Sequence, residues 1–219
     1  MDATAMFKRI IRDRLEFIRP HILRGSVLDL GCVSSRPARE GTRQRLSRLP
    51  DLLFKRICEI NPDTTGVDID AEGIELLRQA GYQAVCADVV TMDLGRQFDA
   101  IVAGEIIEHL DNPGLFLRNM RRHLKPTGAL IVSTPNPFHG SQVWRIWRHG
   151  RPSVHEEHVG WHDPLTLTRL MQRSGLEVCD GCWLRPPKYS PLKNLRQHLR
   201  GYFSSNFMLL ARPAGTTDK

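Results

Sequence analysis

Short apolar runs, each ending at a glycine or an acid, recur along this chain. Val27, Leu28 and Leu30 form such a run around one aspartate, and the run stops at Gly31, which is typical of a buried strand that ends in a tight turn. By the same criterion we predict seven strands: Val27–Leu30, Thr65–Ile69, Gln83–Ala87, Phe98–Gly104, Ala129–Ser133, Leu176–Trp183 and Asn206–Arg212.

Between these runs, apolar residues recur at helical spacing. An N-terminal helix is predicted over residues 4–24, with its amphipathic pattern at Met6–Leu23 and with Pro20 and Gly25 closing it. Strand and helix alternate five times, which predicts an α/β fold with a doubly wound, seven-stranded and mostly parallel sheet. The other predicted helices are Leu52–Ile60, Ala71–Gln79, Pro113–Leu124 and Pro164–Ser174.

The connections set the remaining topology. No crossover helix separates Leu176–Trp183 from Asn206–Arg212, so we expect the last strand to run antiparallel to its neighbours. We predict a single domain over residues 1–219, with a long basic connection near residues 33–50. Two insertions, near 135–162 and 184–204, are expected on the side of the sheet where a substrate that accepts a transferred group would bind.

The chain carries a net charge of +7, which invites an acidic partner. Arginines gather near residues 36–48, 145–151 and 185–200, and they fit RNA, a phosphate-bearing acceptor or a solvated basic surface equally well. Aromatic residues are sparse and no RNA-binding motif is present, so the sequence favours a small-molecule partner without excluding nucleic acid.

No apolar run approaches the roughly 18 residues that a membrane span needs, and no signal-peptide core is visible. Five scattered cysteines suit a reducing compartment, so we expect a cytoplasmic protein. Cys179 and Cys182 form a lone C-x-x-C, which we interpret as buried thiols because two cysteines make only half of a zinc site.

Acids follow the first two predicted strands at their carboxyl ends. In an open α/β sheet the ligand lies outside these ends, so Asp29 and Gly31 should face the site, where the acid could accept from an ammonium or hydroxyl group. Asp68 at the tip of the second strand is placed to accept from two ribose hydroxyls. The alternative is a solvated turn acid beside a helix N-cap.

A second group of polar residues follows Phe98–Gly104. Glu105, Glu108 and His109 are spaced i, i+3 and i+4, so one helical turn would present them on one face, and the insertion could fold His158 over the same point. These oxygen and imidazole ligands suit Mg²⁺, Mn²⁺ or Zn²⁺. His109 or His158 could instead act as a general base. The alternative is a helix start whose acids favour the helix dipole and whose histidine packs.

The stretch FDAIVAGEIIEHLDNPGLFLRNMRRHLKPTGALIVSTPNP resembles the fourth strand, helix and fifth strand of class I S-adenosylmethionine-dependent methyltransferases. HVGWHDPLTLTRLMQRSGLEV resembles the later helix and sixth strand of the same superfamily, whose fold is Rossmann-like. The block EIIEH is similar to one in ubiquinone-pathway O-methyltransferases and in small-RNA 3′-end 2′-O-methyltransferases, where it is associated with a divalent metal near the acceptor hydroxyl.

The resemblance implies a role for each strand end. Asp29 and Gly31 would flank the methionine moiety, and Asp68 would bind the ribose. The other implied cofactor contacts are Cys32 after the first strand, Ile69 against the adenine, Asp88 and the Val89 amide at the adenine amino group, and Glu105 at the cofactor's edge. The family usually has G-x-G-x-G after the first acid, whereas this chain keeps only Gly31, so the loop must take another path.

The resemblance implies S-adenosylmethionine-dependent O-methylation of a small hydroxylated acceptor, such as a sugar, a glycan precursor or a phenolic metabolite. An RNA 2′-O-methyltransferase and a non-catalytic cofactor-binding relative are the alternatives. In a catalytic pocket, Trp144, Trp147 and Trp161 would supply the apolar surface that closes over the methyl group.

Overall fold

A computed structural model describes residues 7, 9–33, 52–184 and 201–215. Eight strands form one sheet: β1 (Ile10–Ile11), β2 (Val27–Leu30), β3 (Thr64–Asp68), β4 (Gln83–Cys86), β5 (Phe98–Gly104), β6 (Leu124–Pro135), β7 (Leu176–Leu184) and β8 (Asn206–Pro213). The helices are α1 (Arg14–Ile22), α2 (Leu53–Ile60), α3 (Ala71–Gln79), α4 (Pro113–His123), α5 (Gly140–His149) and α6 (Pro164–Arg173), with a 3₁₀ turn at Ile107–His109.

The strand order is β1-β7-β8-β6-β5-β2-β3-β4. All neighbouring strands are parallel except at β8, which is antiparallel to both β6 and β7, so the prediction for the last strand is confirmed. The doubly wound, mostly parallel sheet is confirmed too. The sheet has one strand more than predicted, because Ile10 and Ile11 pair in parallel with Trp183 and Leu184.

Helices cover both faces of the sheet, as continuous apolar strands require. Alternate residues along β2 and β5 enter opposite clusters: Val27 packs with α1 and α2, while Leu28 packs with α4 and α6. α3 packs with α2 in a third cluster around Phe54 and Ile74. This packing leaves the carboxyl edge of the parallel strands as the open end that carries the predicted site residues.

The N-terminal helix is shorter than the predicted 4–24. Asp13 caps it, because its carboxylate accepts from the Leu15 amide at 3.0 Å while the Glu16 carboxylate accepts from the Asp13 amide at 3.0 Å. This capping box starts α1 at Arg14, and Pro20 lies inside the helix rather than closing it. Part of the predicted segment lies outside the described residues.

Two other elements differ from the prediction. β6 begins at Leu124, before the predicted start at Ala129, because Leu124 pairs with Phe98 and a register shift between Phe98 and Ala100 keeps the strands paired. The insertion after β6 contains the unpredicted helix α5. Most of the two predicted excursions, near 33–50 and 184–204, lies outside the described residues. Among the helices described, none is long and apolar enough to cross a membrane.

Candidate active site

Gly31 turns the chain out of β2 at the carboxyl edge of the sheet. Its φ of 73° lies in the left-handed region that favours glycine, and its amide donates to the Val67 carbonyl at 2.8 Å. The next amide, that of Cys32, donates to the same carbonyl at 3.3 Å. Cys32 itself is buried, and burial raises the pKa of its thiol far above the ordinary value. Its side chain therefore packs in the core as a neutral thiol, and only its backbone lies at the carboxyl edge.

Asp68 ties the end of β3 to the loop after β2. One carboxylate oxygen accepts from the Val33 amide at 2.9 Å and the other accepts from the Asp70 amide at 3.0 Å. Each oxygen keeps a second lone pair, so the half-buried carboxylate can accept from further donors. Ile69, directly after it, is 75% exposed and offers a flat apolar surface beside the acid.

Asp88 and Val89 follow β4 in a tight turn. The exposed Asp88 carboxylate accepts from the Val90 amide at 2.8 Å and from the Thr91 hydroxyl at 3.2 Å, so it organises its own turn. Val89 is buried, and its carbonyl accepts from the Asn119 side chain at 3.1 Å. The turn is therefore fixed from both sides.

Asp29 is buried inside β2, where it is 2% exposed. Burial raises the pKa of Asp29 well above its ordinary value, and the negative charge of Asp68 raises it further, whereas Arg14 lowers it. A cationic group at this edge would therefore be favoured beside Asp29.

Glu105 directly follows β5 and has a φ of 54°, the one positive φ among the described non-glycine residues. Its carboxylate forms an ion pair with Arg14 and accepts from the Asn206 amide at 2.7 Å. Its backbone amide donates to Ser133 at 2.9 Å. These contacts from α1, β8 and β6 hold the backbone of Glu105 in its strained conformation.

Glu108 lies on the 3₁₀ turn and is 1% exposed. One oxygen of its carboxylate accepts from the Thr134 hydroxyl at 2.9 Å, while the other has no hydrogen-bond partner within the described part of the chain. Burial raises the pKa of Glu108 from 4.5 to about 7. A buried carboxylate oxygen that lacks a partner is typical of a site that binds a proton or a cation.

Residues 155–160 fold back onto the 3₁₀ turn that carries Glu108 and His109, as we predicted for His158. The amides of Val159 and Gly160 donate to the Glu108 carbonyl at 3.0 and 3.1 Å. His109 Nδ1 lies 3.1 Å from the Glu157 carbonyl. Because a carbonyl can only accept, Nδ1 carries the proton and Nε2 of the neutral ring is left with its lone pair.

One ligand atom each from Glu108, His109 and His158 lies within 4.8 Å of the others. The rings of His109 and His158 are 4.7 Å apart and nearly perpendicular. Burial lowers the pKa of His158, and the neighbouring His109 and His155 lower it further. Glu105, the fourth predicted metal ligand, is not a member of this group; Arg14 and Asn206 engage its carboxylate instead.

Three polar residues that no sequence pattern singled out contact this site: Arg14, Thr134 and Asn206. Arg14 is the most informative, because it pairs with Glu105 and its buried Nε has no partner among the described residues. The capping box before Arg14 was visible in the sequence, but nothing in the spacing linked α1 to an acid that lies 91 positions further along the chain.

The arrangement divides the carboxyl edge into two parts. The ends of β2, β3 and β4 present acids, turn amides and one exposed isoleucine, which suit a polar nucleoside with a charged tail. The end of β5 and the 155–160 segment present one buried carboxylate and two imidazoles, which suit proton transfer or a divalent cation.

Comparisons with known proteins identify the family of the chain. Residues 3–180 match the family model of a methyltransferase domain. The chain is 29% identical over 204 residues to a ubiquinone biosynthesis O-methyltransferase of Rhodopseudomonas palustris, and the match covers 86% of this chain and 71% of that protein.

Solved structures share the fold. An S-adenosylmethionine-dependent methyltransferase from Archaeoglobus fulgidus superposes with a TM-score of 0.57 at 17% identity and covers 91% of both chains. Magnesium protoporphyrin IX methyltransferase from Synechocystis, solved with S-adenosylhomocysteine, gives a TM-score of 0.61 at 11% identity and covers 91% of this chain and 80% of its own. The chain belongs to the methyltransferase domain family and is a class I S-adenosylmethionine-dependent methyltransferase.

Proposed function

We propose that this methyltransferase transfers the methyl group to a hydroxyl oxygen of a small acceptor, such as a sugar, a glycan precursor or a phenolic metabolite. The observation that carries the proposal is the group formed by Glu108, His109 and His158 at the end of β5. Oxygen methylation requires a group that accepts the hydroxyl proton. Burial raises the pKa of Glu108 to about 7, which makes its carboxylate a stronger base, and lowers the pKa of His158, which keeps its ring neutral and able to accept a proton. The O-methyltransferase relative from Rhodopseudomonas supports the same chemistry.

On the cofactor side, Asp68 would accept from the two ribose hydroxyls with its remaining lone pairs. Ile69 would lie against the adenine, and this role is supported by its exposure next to Asp68. Asp88 would accept from the adenine amino group, while the Val89 amide would donate to the ring. The fixed turn at Asp88 supports this assignment, because it holds both groups before the cofactor arrives.

The methionine end of the cofactor would lie over the turn at Gly31 and Cys32. Asp29 would face the ammonium group, whose positive charge compensates a buried acid. The positive charge of Arg14 acts on Asp29, and the buried Nε of Arg14, which has no partner among the described residues, supports a contact to the methionine carboxylate. Glu105 would border the same end through its ion pair with Arg14.

Methyl transfer is a displacement in which the acceptor oxygen attacks the methyl carbon in line with the departing sulfur. The oxygen–carbon bond forms as the carbon–sulfur bond breaks, S-adenosylhomocysteine leaves, and the acceptor loses its proton. Nε2 of His109 and the neutral ring of His158 are the groups that would take this proton. The fold around them would exclude water and hold the acceptor in line.

Glu108, His109 and His158 also fit a divalent cation. Glu108 brings an unpaired buried oxygen, and His109 brings a lone pair whose direction is fixed by the bond from Nδ1 to Glu157. These three residues would hold Mg²⁺, Mn²⁺ or Zn²⁺, with Zn²⁺ favoured by the two imidazoles. When bound, such an ion lowers the pKa of a coordinated hydroxyl. The three side chains would then orient the acceptor by holding the ion. Because their lone pairs would be used for the ion, solvent or another carboxylate would remove the proton.

The decisive experiment is a methyl-transfer screen with radiolabelled S-adenosylmethionine over catechols, sugars, glycan precursors and short RNAs, each with chelator and with added Mg²⁺, Mn²⁺ or Zn²⁺. We expect label in a small hydroxylated acceptor. Label only in RNA would favour 2′-O-methylation, which the net charge of +7 also fits. Calorimetry with the cofactor distinguishes the remaining alternative, because a protein that binds it and methylates nothing is a non-catalytic relative.

A further inference from the structure

Helix α5 carries an apolar stripe that faces solvent. Val143, Trp144, Ile146 and Trp147 are spaced as neighbours on one side of a helix, and they are 44%, 56%, 45% and 80% exposed. No residue of α5 is buried. An amphipathic helix in a globular domain normally turns such a stripe toward the core. This stripe has no covering partner within the described part of the chain.

Polar contacts hold the first turn of the helix. Gln142 exchanges two hydrogen bonds with the Ser153 backbone, at 2.5 and 2.8 Å. Gly140 packs near Phe203, next to the strand that continues into the sheet. The same segment places two more exposed apolar side chains at the ends of the helix, with Phe138 at 52% and Val154 at 48%. Exposed apolar side chains therefore also precede and follow α5, and the hydrogen bonds of Gln142 anchor the helix to the segment after it.

The charged side chains on α5 and in the turn after it all have one sign. Arg145, Arg148 and Arg151 are exposed, and residues 138–154 include no aspartate or glutamate. Arg145 and Arg148 are three positions apart and neighbour each other, and Arg148 lies one helical turn beyond Trp144 at the border of the stripe. Exposed tryptophans beside arginines are typical of helices that lie in the interface of a lipid bilayer.

We propose that α5 docks this protein onto an anionic phospholipid surface, with Trp144, Ile146 and Trp147 in the headgroup and acyl boundary and the arginines against lipid phosphates. Pairing with a second copy fits the charge less well, because a two-fold contact through the stripe brings the arginines of both copies together. The inference does not depend on which acceptor is methylated. Trp144 and Trp147 would then contact lipid and would not close over the methyl group, as the sequence had suggested.

The test is co-sedimentation of the full chain with phosphatidylcholine vesicles that contain or lack phosphatidylglycerol, at low and high salt. We expect binding only to the anionic vesicles, and we expect salt to weaken it. Quenching of tryptophan fluorescence by brominated lipids would report insertion directly, since Trp183 is buried and Trp144 and Trp147 are the more exposed rings.

Two double variants and a control locate the surface. Arg145→Glu with Arg148→Glu should lower vesicle partitioning by at least about tenfold, since each basic residue near an anionic surface contributes about 1 kcal/mol. Trp144→Ser with Trp147→Ser should lower it similarly and remove most of the lipid quenching. The control is Arg118→Glu with Arg122→Glu, which makes the same charge change on exposed positions of α4 and should stay within about twofold of the native protein.

Several results would overturn the proposal. One is an absence of binding to anionic vesicles at low salt by a protein that melts normally. A second is equal loss of binding in the α4 control and the α5 variant, because the attraction would then follow net charge alone. A third is a concentration-dependent dimer that the tryptophan variant abolishes while vesicles stay unbound. RNA binding that requires Arg145 and Arg148 without any vesicle binding would assign the surface to nucleic acid instead.

Discussion

The cofactor half and the acceptor half of the carboxyl edge are built differently. In the cofactor half, Asp68 and Asp88 accept hydrogen bonds from amides of their own turns or of the neighbouring loop, so their charges are satisfied. In the acceptor half, Glu108 keeps an oxygen without a partner in the described structure, and His109 and His158 meet across 49 positions of sequence. Hydrogen bonds hold the two acids of the first half in place before a ligand binds, whereas the second half keeps a buried carboxylate oxygen that only a ligand, a proton or a cation can satisfy.

The largest expected effect lies in the acceptor half. His109→Ala and His158→Ala should each lower the turnover number about 100-fold or more, because each removes a group that handles the acceptor's proton or holds a cation against its oxygen. The dissociation constant for S-adenosylmethionine should change little. His155→Ala is the matched control, since its ring lies near both histidines but outside the group of three. Native turnover in both variants would place the chemistry elsewhere.

Glu108→Gln should stabilise the protein at alkaline pH when a chelator is present. Burial raises the folded-state pKa from 4.5 to about 7, so the folded protein holds this proton more tightly and loses stability as pH rises between these values. Glutamine lacks that loss, and at about 1.4 kcal/mol per pH unit the gain above pH 7 has an upper limit of about 3 kcal/mol. Urea unfolding at about pH 5 and about pH 8 measures it, and a gain of equal size at both would contradict the titration.

Asp68→Ala should weaken S-adenosylmethionine binding at least about tenfold, since hydrogen bonds to a charged acceptor contribute about 1.5–3 kcal/mol each before compensation. The loop amide of Val33 also loses its acceptor. Calorimetry of the folded variant provides the measurement, with Asp93→Asn as the control because that exposed acid only closes a local turn at Gly95. An unchanged dissociation constant would reduce Asp68 to a turn acid.

The smallest effect is expected for two glycines with positive φ, Gly31 and Gly81, when each is replaced by alanine. Gly31→Ala and Gly81→Ala should each lower the free energy of unfolding by about 1 kcal/mol, because alanine is strained in the left-handed region. Only Gly31→Ala should also weaken cofactor binding, since Gly31 lies at the proposed methionine end. Equal cofactor affinity in the two variants would show that the turn after β2 does not contact the cofactor.

Much of the fold followed from local patterns. α3 and β5 begin and end at the predicted residues, and α2, α4 and α6 differ by one residue at an end, because their caps and apolar spacing lie within the segments themselves. The acids at the ends of β2 and β3 were found for the same reason, since a strand that ends in an acid presents it at the carboxyl edge. The prediction of two buried thiols in the C-x-x-C was right for Cys182 and wrong for Cys179, which is exposed at the register shift of β7.

The sequence by itself determined the order of strands and helices, the doubly wound sheet and the family. Apolar periodicity, helix caps and motifs depend only on residues that are neighbours in the chain. Only the tertiary structure decided that Ile10–Ile11 extends the sheet, that Arg14 and Asn206 engage Glu105 away from the histidines, and that Glu108 is buried with one oxygen unpaired. It alone decided that the apolar stripe of α5 faces outward. Burial and pairing depend on segments that meet from distant positions of the chain, and no local pattern records which of them will meet.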